Sequence, residues 1–161
     1  MSSAPPAPER TAPLTGLTTG HVGLNVTDLV RSRNFYADVL GLDVLGTSTD
    51  PGREYAFLGV DGALVLTLWQ QSDGRFDPRR PGLHHLSFQV ADAAAVATAE
   101  ARVRACGAEF VHDGVVAHGE GARSGGIFFL DPDGTRLEVF APTGAENAPA
   151  PTEDAPTCGF F

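Results

Sequence analysis

An α+β fold of two βαβββ units is predicted by three features of the sequence: an internal repeat, one capped helical segment in each copy, and alternating apolar runs around it. The repeat pairs HVGLNVTDL (residues 21–29) with HLSFQVADA (residues 85–93), matching His21 with His85, Val26 with Val90 and Asp28 with Asp92. GLDVL at 41–45 pairs with GAEFV at 107–111, and AFLGVDG at 56–62 pairs with FFLDPDG at 128–134. The offset grows from 64 (85 − 21) to 72 (128 − 56), so the second copy carries insertions where loops belong.

Each copy opens with an alternating run that reads as a strand. Asp28 and Asp92 then stand at helix N-cap positions, where a carboxylate accepts from unpaired amides. Segments 29–40 and 93–105 have helical spacing and end at Gly41 and Gly107, which suit the left-handed position after a helix. Three strand-like runs follow in each copy: 44–47, 54–59 and 63–70, then 109–111, 126–130 and 136–141. The repeat therefore fills residues 17–142, as modules 17–72 and 83–142. Residues 1–16 and 143–161 are rich in Pro, Ala, Ser, Thr and acids, and are expected to be a disordered and a flexible tail. The CGFF at 158–161 has reason to dock its aromatics, although a loosely held tail is the expectation.

A hydrophobic fraction of 42% in 161 residues is enough for one real core. No apolar run reaches the ~20 residues of a membrane helix, and no signal-like segment opens the sequence, so a cytoplasmic protein without a membrane partner is expected. All basic residues are Arg, and the formal net charge of −9 argues against nucleic acid as a partner. Cys106 and Cys158 stand in unlike contexts, so neither a disulfide framework nor a zinc knuckle is indicated, and Cys106 reads as a small core residue.

Strand alternation selects the residues that carry chemistry. Val22, Leu24 and Val26 form the apolar set of the first strand, leaving His21, Gly23 and Asn25 on the opposite face. In the second copy Leu86, Phe88 and Val90 oppose His85, Ser87 and Gln89, and in the last strand Leu137 and Val139 oppose Arg136, Glu138 and Phe140. His21, His85 and Glu138 thus point away from the helices. His84 has the helix-side parity, so His85 is the candidate ligand. A lone strand histidine is more often a hydrogen-bonded rim residue. Two at repeat-equivalent positions, with a carboxylate on the same kind of face, form a two-imidazole, one-carboxylate set that leaves coordination positions open. By parity Trp69 is expected under a helix, with Leu68 and Phe140 on the open face.

With these residues in place, HVGLNVTDLVRSRNFYADVLGLDVL, GLHHLSFQV and FFLDPDGTRLEVF resemble the vicinal oxygen chelate superfamily. Its members include glyoxalase I, extradiol dioxygenases, methylmalonyl-CoA epimerase, fosfomycin-resistance enzymes and bleomycin-resistance proteins. The resemblance implies a cupped mixed sheet and one divalent metal at His21, His85 and Glu138, with Fe(II) favoured and Mn(II), Ni(II) or Zn(II) as alternatives. It also implies a small-molecule substrate that chelates the metal through neighbouring oxygens. In this superfamily the halves pair within one chain or are exchanged in a homodimer.

The resemblance divides over the reaction. Four-ligand relatives take another Glu or Gln from the fourth strand of the first half. Aligning Gly62 with Gly134 puts Leu66 there, and a one-residue slip offers Thr67; neither is a base at neutral pH. An extradiol-type dioxygenase is therefore the first reading, a glyoxalase-type lyase or isomerase the second, and an antibiotic-binding or antibiotic-modifying resistance protein the third. The hydrogen-bonding Tyr that extradiol enzymes carry three residues before the DP pair falls at Phe128. His118, in the glycine-rich loop 112–126, is the candidate replacement, and Arg123 is a candidate contact for an anionic substrate. His112 reads as a solvated surface group.

Overall fold

The computed structural model describes residues 12–152 and 154–160. The predicted tail at 1–16 lies outside the described residues up to position 11; residues 12–16 are exposed and outside regular structure.

The first unit runs β1 (Val22–Asn25), α1 (Leu29–Leu40), β2 (Asp43–Ser48), β3 (Tyr55–Val60) and β4 (Ala63–Trp69). The second runs β5 (Leu86–Gln89), α2 (Ala93–Ala105), β6 (Val116–Ala117), β7 (Gly125–Leu130) and β8 (Arg136–Ala141). They form two four-stranded sheets of like topology, β1-β4-β3-β2 and β5-β8-β7-β6, in which the first strand pairs parallel with the last of its unit. This is the predicted α+β architecture.

Local chemistry fixes the helix ends. The Asp28 carboxylate accepts from the Arg31 N–H and that of Asp92 from the Ala95 N–H, both at 2.9 Å. Gly41 takes φ 69° after α1 and Gly107 takes φ 68° after α2, a conformation a Cβ disfavours. Arg102 of α2 donates to the Val39 carbonyl at 3.4 Å, placing a cation at the C-terminus of α1. Cys106 caps α2 and is exposed, so its predicted core role is corrected: the helix ends before that side chain can turn inward.

One hydrophobic core serves both units. Leu29, Phe35, Tyr36 and Val39 of α1 and Val96, Ala99 and Val103 of α2 meet Leu24, Ala56, Leu58, Leu66 and Leu68 of the first sheet and Ile127, Phe129, Leu137 and Val139 of the second. Each sheet thus turns one face to the shared core, and the alternate residues face away from it.

A buried polar knot joins the units. Asp131, in the turn before β8, accepts the Tyr36 hydroxyl at 2.8 Å and the N–H groups of Asp133 and Thr135 at 2.9 and 2.7 Å. Asp133 reaches back to the first unit, accepting from the Thr27 N–H at 2.9 Å and from Arg31 at 2.6 Å. Burial, then the neighbouring Asp131 carboxylate, raises the Tyr36 pKa well above the usual phenol value, so it remains an O–H donor. Asp131→Ala leaves three donors without their acceptor and is expected to destabilise the fold by roughly 3 kcal/mol, measurable as a lower urea midpoint. An unchanged midpoint would remove the knot from the account of stability.

Two departures from the sequence expectation bear on the site. The strand expected at 109–111 is reduced to a single bridge, Phe110 to Phe129, flanked by the bonds of Leu130 N–H to Glu109 and Val111 N–H to Phe128; β7 gains its further partner later, at Val116–Ala117. Beyond residue 142, where a flexible tail is expected, the described residues follow a defined course over the second sheet. Ala145 N–H donates to the Arg123 carbonyl, Ala117 N–H to Pro149, and Thr157 N–H to His118, at 2.9–3.0 Å. Thr157 is buried, and its hydroxyl donates to the Ala117 carbonyl at 2.6 Å. A tail can order where it satisfies the open edge of a two-residue strand.

Candidate active site

The site is built on the face of the second sheet that points away from the core. β8 carries Glu138 at a register where it lies beside Ser87 of β5 and Phe128 of β7. Glu138 is only 3% exposed, so its carboxylate demands partners. His118 supplies the first: its Nε2 lies 2.5 Å from Glu138 Oε1, and its Nδ1 lies 2.9 Å from Ser124 Oγ. A carboxylate only accepts, so Nε2 bears a proton toward Glu138, and Ser124 holds the far side of the ring. His85 is second, with Nε2 3.7 Å from Glu138 Oε2. Phe140 packs beside His118, with ring centroids 5.2 Å apart.

Burial lowers the His85 pKa; Glu138 pulls the other way but less strongly. The ring is therefore neutral, as a ligand must be, into mildly acidic solution. A folded pKa below the unfolded value makes protonation favour the unfolded chain, so stability present above pH ~6.5 is lost as pH falls through that value toward the folded pKa. His112, lowered by burial, acts in the same direction. Denaturation of the apoprotein at pH 7.5 and 5.5 is expected to show a smaller acid loss in His85→Gln than in the unaltered chain; equal losses would contradict it.

The structure brings His85, Glu138 and His118 together. It leaves His21 apart: this exposed residue directly precedes β1 of the first sheet, with no hydrogen bond or ion pair to the cluster among the described residues. Arg123 is 73% exposed at its side chain and turns to Glu146 at 3.3 Å, away from the cluster. Among the described residues, no three His, Cys, Asp or Glu side chains are arranged to hold a metal ion within the chain.

Several parity expectations are corrected. Thr67, not Leu66, pairs with Gly23, as Glu138 pairs with the repeat-equivalent Ser87. Leu66 and Leu68 are in the core, whereas Trp69 stands with Thr67, Tyr55 and Phe57 on the other face. The cause is a bulge: Leu58 pairs with Leu66 but Gly59 with Leu64, so Val65 is extra and the alternation of β4 shifts by one. Gly59 permits it, since a Cβ there would lie 2.1 Å from the Ala63 carbonyl oxygen. His84, two residues before β5 begins at Leu86, lies against His85, Nδ1 to Nδ1 at 2.7 Å. His112 is no solvated group: its Nε2 is buried without a partner among the described residues, and its ring packs on Phe128 at 5.6 Å.

The family model described as the Glyoxalase/Bleomycin resistance protein/Dioxygenase superfamily matches residues 18–139. A catechol-2,3-dioxygenase of Bacillus subtilis is 31% identical over 125 residues, 76% of this chain and 40% of that protein. The chain thus spans less than half of that relative's length. A lactoylglutathione lyase of Haemophilus influenzae is 38% identical over 127 residues, 73% of this chain and 87% of that protein. Among solved structures, a glyoxylase/bleomycin resistance protein/dioxygenase domain from Frankia sp. EAN1pec superposes with a TM-score of 0.66 at 28% identity, covering 78% of this chain and 97% of that one.

Proposed function

The chain belongs to the glyoxalase/bleomycin resistance protein/dioxygenase superfamily, and we propose that within it the protein is a mononuclear metal-dependent enzyme of extradiol-dioxygenase type. Its substrate would be a small molecule that chelates the metal through neighbouring oxygens. The observation that carries this reading is the convergence of His85 and Glu138 on one sheet face, with His21 at the repeat-equivalent position on the other. Among the described residues no three such side chains come together within one chain. The donor chemistry suits a divalent metal held by His85 and Glu138 of one copy and His21 of a second, in a homodimer.

Fe(II), bound there, would supply redox activation and Lewis acidity. The protein's own groups do the rest. Glu138 brings negative charge to a nearly dry position, and His85 is kept neutral by burial. His118 steadies the carboxylate through Nε2 and can pass a proton at that atom, with Ser124 fixing the ring. Phe128 excludes water from the same face.

Thr67 at the position matching Glu138 favours this reaction over a four-ligand lyase or isomerase, because a threonine hydroxyl is neither a strong ligand nor a base. A glyoxalase-type activity is the second reading, favoured by the 38% identity to a lyase nearly all of whose length is matched. Oxygen uptake by anaerobically Fe(II)-loaded protein with a panel of catechols tests the proposal. Ring-cleavage products in step with oxygen use are expected. No uptake, with turnover of a hemithioacetal by the Ni(II)- or Zn(II)-loaded protein, would replace the first reading by the second. Tight binding of an antibiotic without turnover of either would replace both.

A further inference from the structure

The segment after β8 does more than cover an edge. It ends the described chain in a single 3-10 turn, Thr157–Gly159, anchored through buried Thr157 to Ala117 and His118. That anchor delivers Phe160 onto the site. The Phe160 ring lies 5.4 Å from the His85 ring and 5.4 Å from that of Phe128, with the Arg136 guanidinium 5.0 Å from its centroid. The same side chain lines a cleft of about 320 Å³ that also holds Arg75, Phe76, Leu130 and Arg136. Phe160 is thus common to the cleft and the histidine face, and its ring stands between a cationic recess and the candidate ligands.

Its backbone is unfavourable for such a residue. Phe160 has φ 56° and ψ 38°, a left-handed conformation that crowds the Cβ of an L-residue. Strain at Phe160 and a fixed anchor three residues before it describe a group that can swing without unfolding the sheet.

We propose that Phe160 is a gate, closed in this structure, whose displacement joins the cleft to the His85–Glu138 face and admits a planar ligand bearing negative charge. The ring would be replaced on His85 by the ligand's planar part, while Arg136 and Arg75 of the cleft receive its anionic substituent. The inference rests on the proposed reading in taking the His85–Glu138 face as the site, and it deepens that reading by naming the ligand's shape and charge.

The first test needs neither metal nor substrate. Apoprotein and the Phe160→Ala variant are treated with diethyl pyrocarbonate, and acylation of each histidine is followed by mass spectrometry, with exposed His21 as the internal standard. A several-fold faster modification of His85 in the variant, at an unchanged rate for His21, is expected; equal rates would overturn the gate. Phe160→Tyr keeps the ring and should restore slow labelling, separating loss of cover from general loosening, and fast labelling in it would also count against the proposal. The second test titrates 4-nitrocatechol into the metal-loaded full chain. Removing a closed state that dominates by about ten to one should tighten binding roughly tenfold in Phe160→Ala. Weaker binding there would make Phe160 a wall of the site and overturn the gate. If labelling responds as expected but neither protein binds the probe, the catechol reading fails and the gate stands.

Discussion

Glu138→Gln is expected to lower divalent-metal affinity by about 100-fold or more, with little change in the fold. Loss of a residue that merely orients a ligand already costs roughly 10- to 100-fold, so loss of a charged ligand should cost at least the upper figure. The substitution isolates charge from shape. A glutamine carbonyl can still accept from His118 Nε2, and its side chain fills the same nearly buried volume beside Phe128. Titration with Mn(II) by calorimetry, beside a urea melt of the apo variant, separates the two effects. Unchanged affinity would place the metal elsewhere. Collapse of the fold would mean that Glu138 serves the fold rather than a ligand.

His21→Ala is expected to be nearly as damaging, although His21 touches neither His85 nor Glu138 within the described chain. If a second copy supplies this imidazole, metal affinity must also depend on protein concentration, because the three-ligand site exists only in the dimer. Dilution through the dimer's dissociation range should then release metal from the unaltered protein. His21→Ala should bind weakly at every concentration. Concentration-independent binding would mean that one chain holds the metal by itself.

Much of this was legible because it is local. The caps Asp28 and Asp92, the glycines that end both helices and the helix limits follow from short-range chemistry, and the repeat disclosed the two units. Glu138 was found by alternation, which holds along β8 because its pairing with β5 carries no bulge, and His85, one residue before β5, lies 3.7 Å from it. Alternation misled in β4, where Val65 is extra; Gly59, in the facing strand, was the visible sign that backbone comes close there. His118 could be named as a candidate because it is the imidazole near the last strand, but its bond to Glu138 depends on a loop path that no periodicity encodes. The same holds for His112 and for Phe160, whose positions are set by tertiary contacts of irregular segments. His21 shows the opposite limit. It was read from strand parity, and parity does not reveal whether the other half of a site lies in the same chain.

The account's central claim is one metal held by His85 and Glu138 of one copy and His21 of another, and complementation tests it most directly. His21→Ala and His85→Ala would be prepared separately, then co-refolded in equal amounts, loaded anaerobically with Fe(II), freed of excess metal and assayed by mass spectrometry. The unaltered protein should hold about one iron per chain and each variant alone close to none. Half of the dimers in the mixture should be mixed, and each of these has one intact site, so about a quarter of the metal should return. No recovery in the mixture, with mixed dimers shown to have formed, or full metal content in His21→Ala alone, would contradict a site shared between two copies.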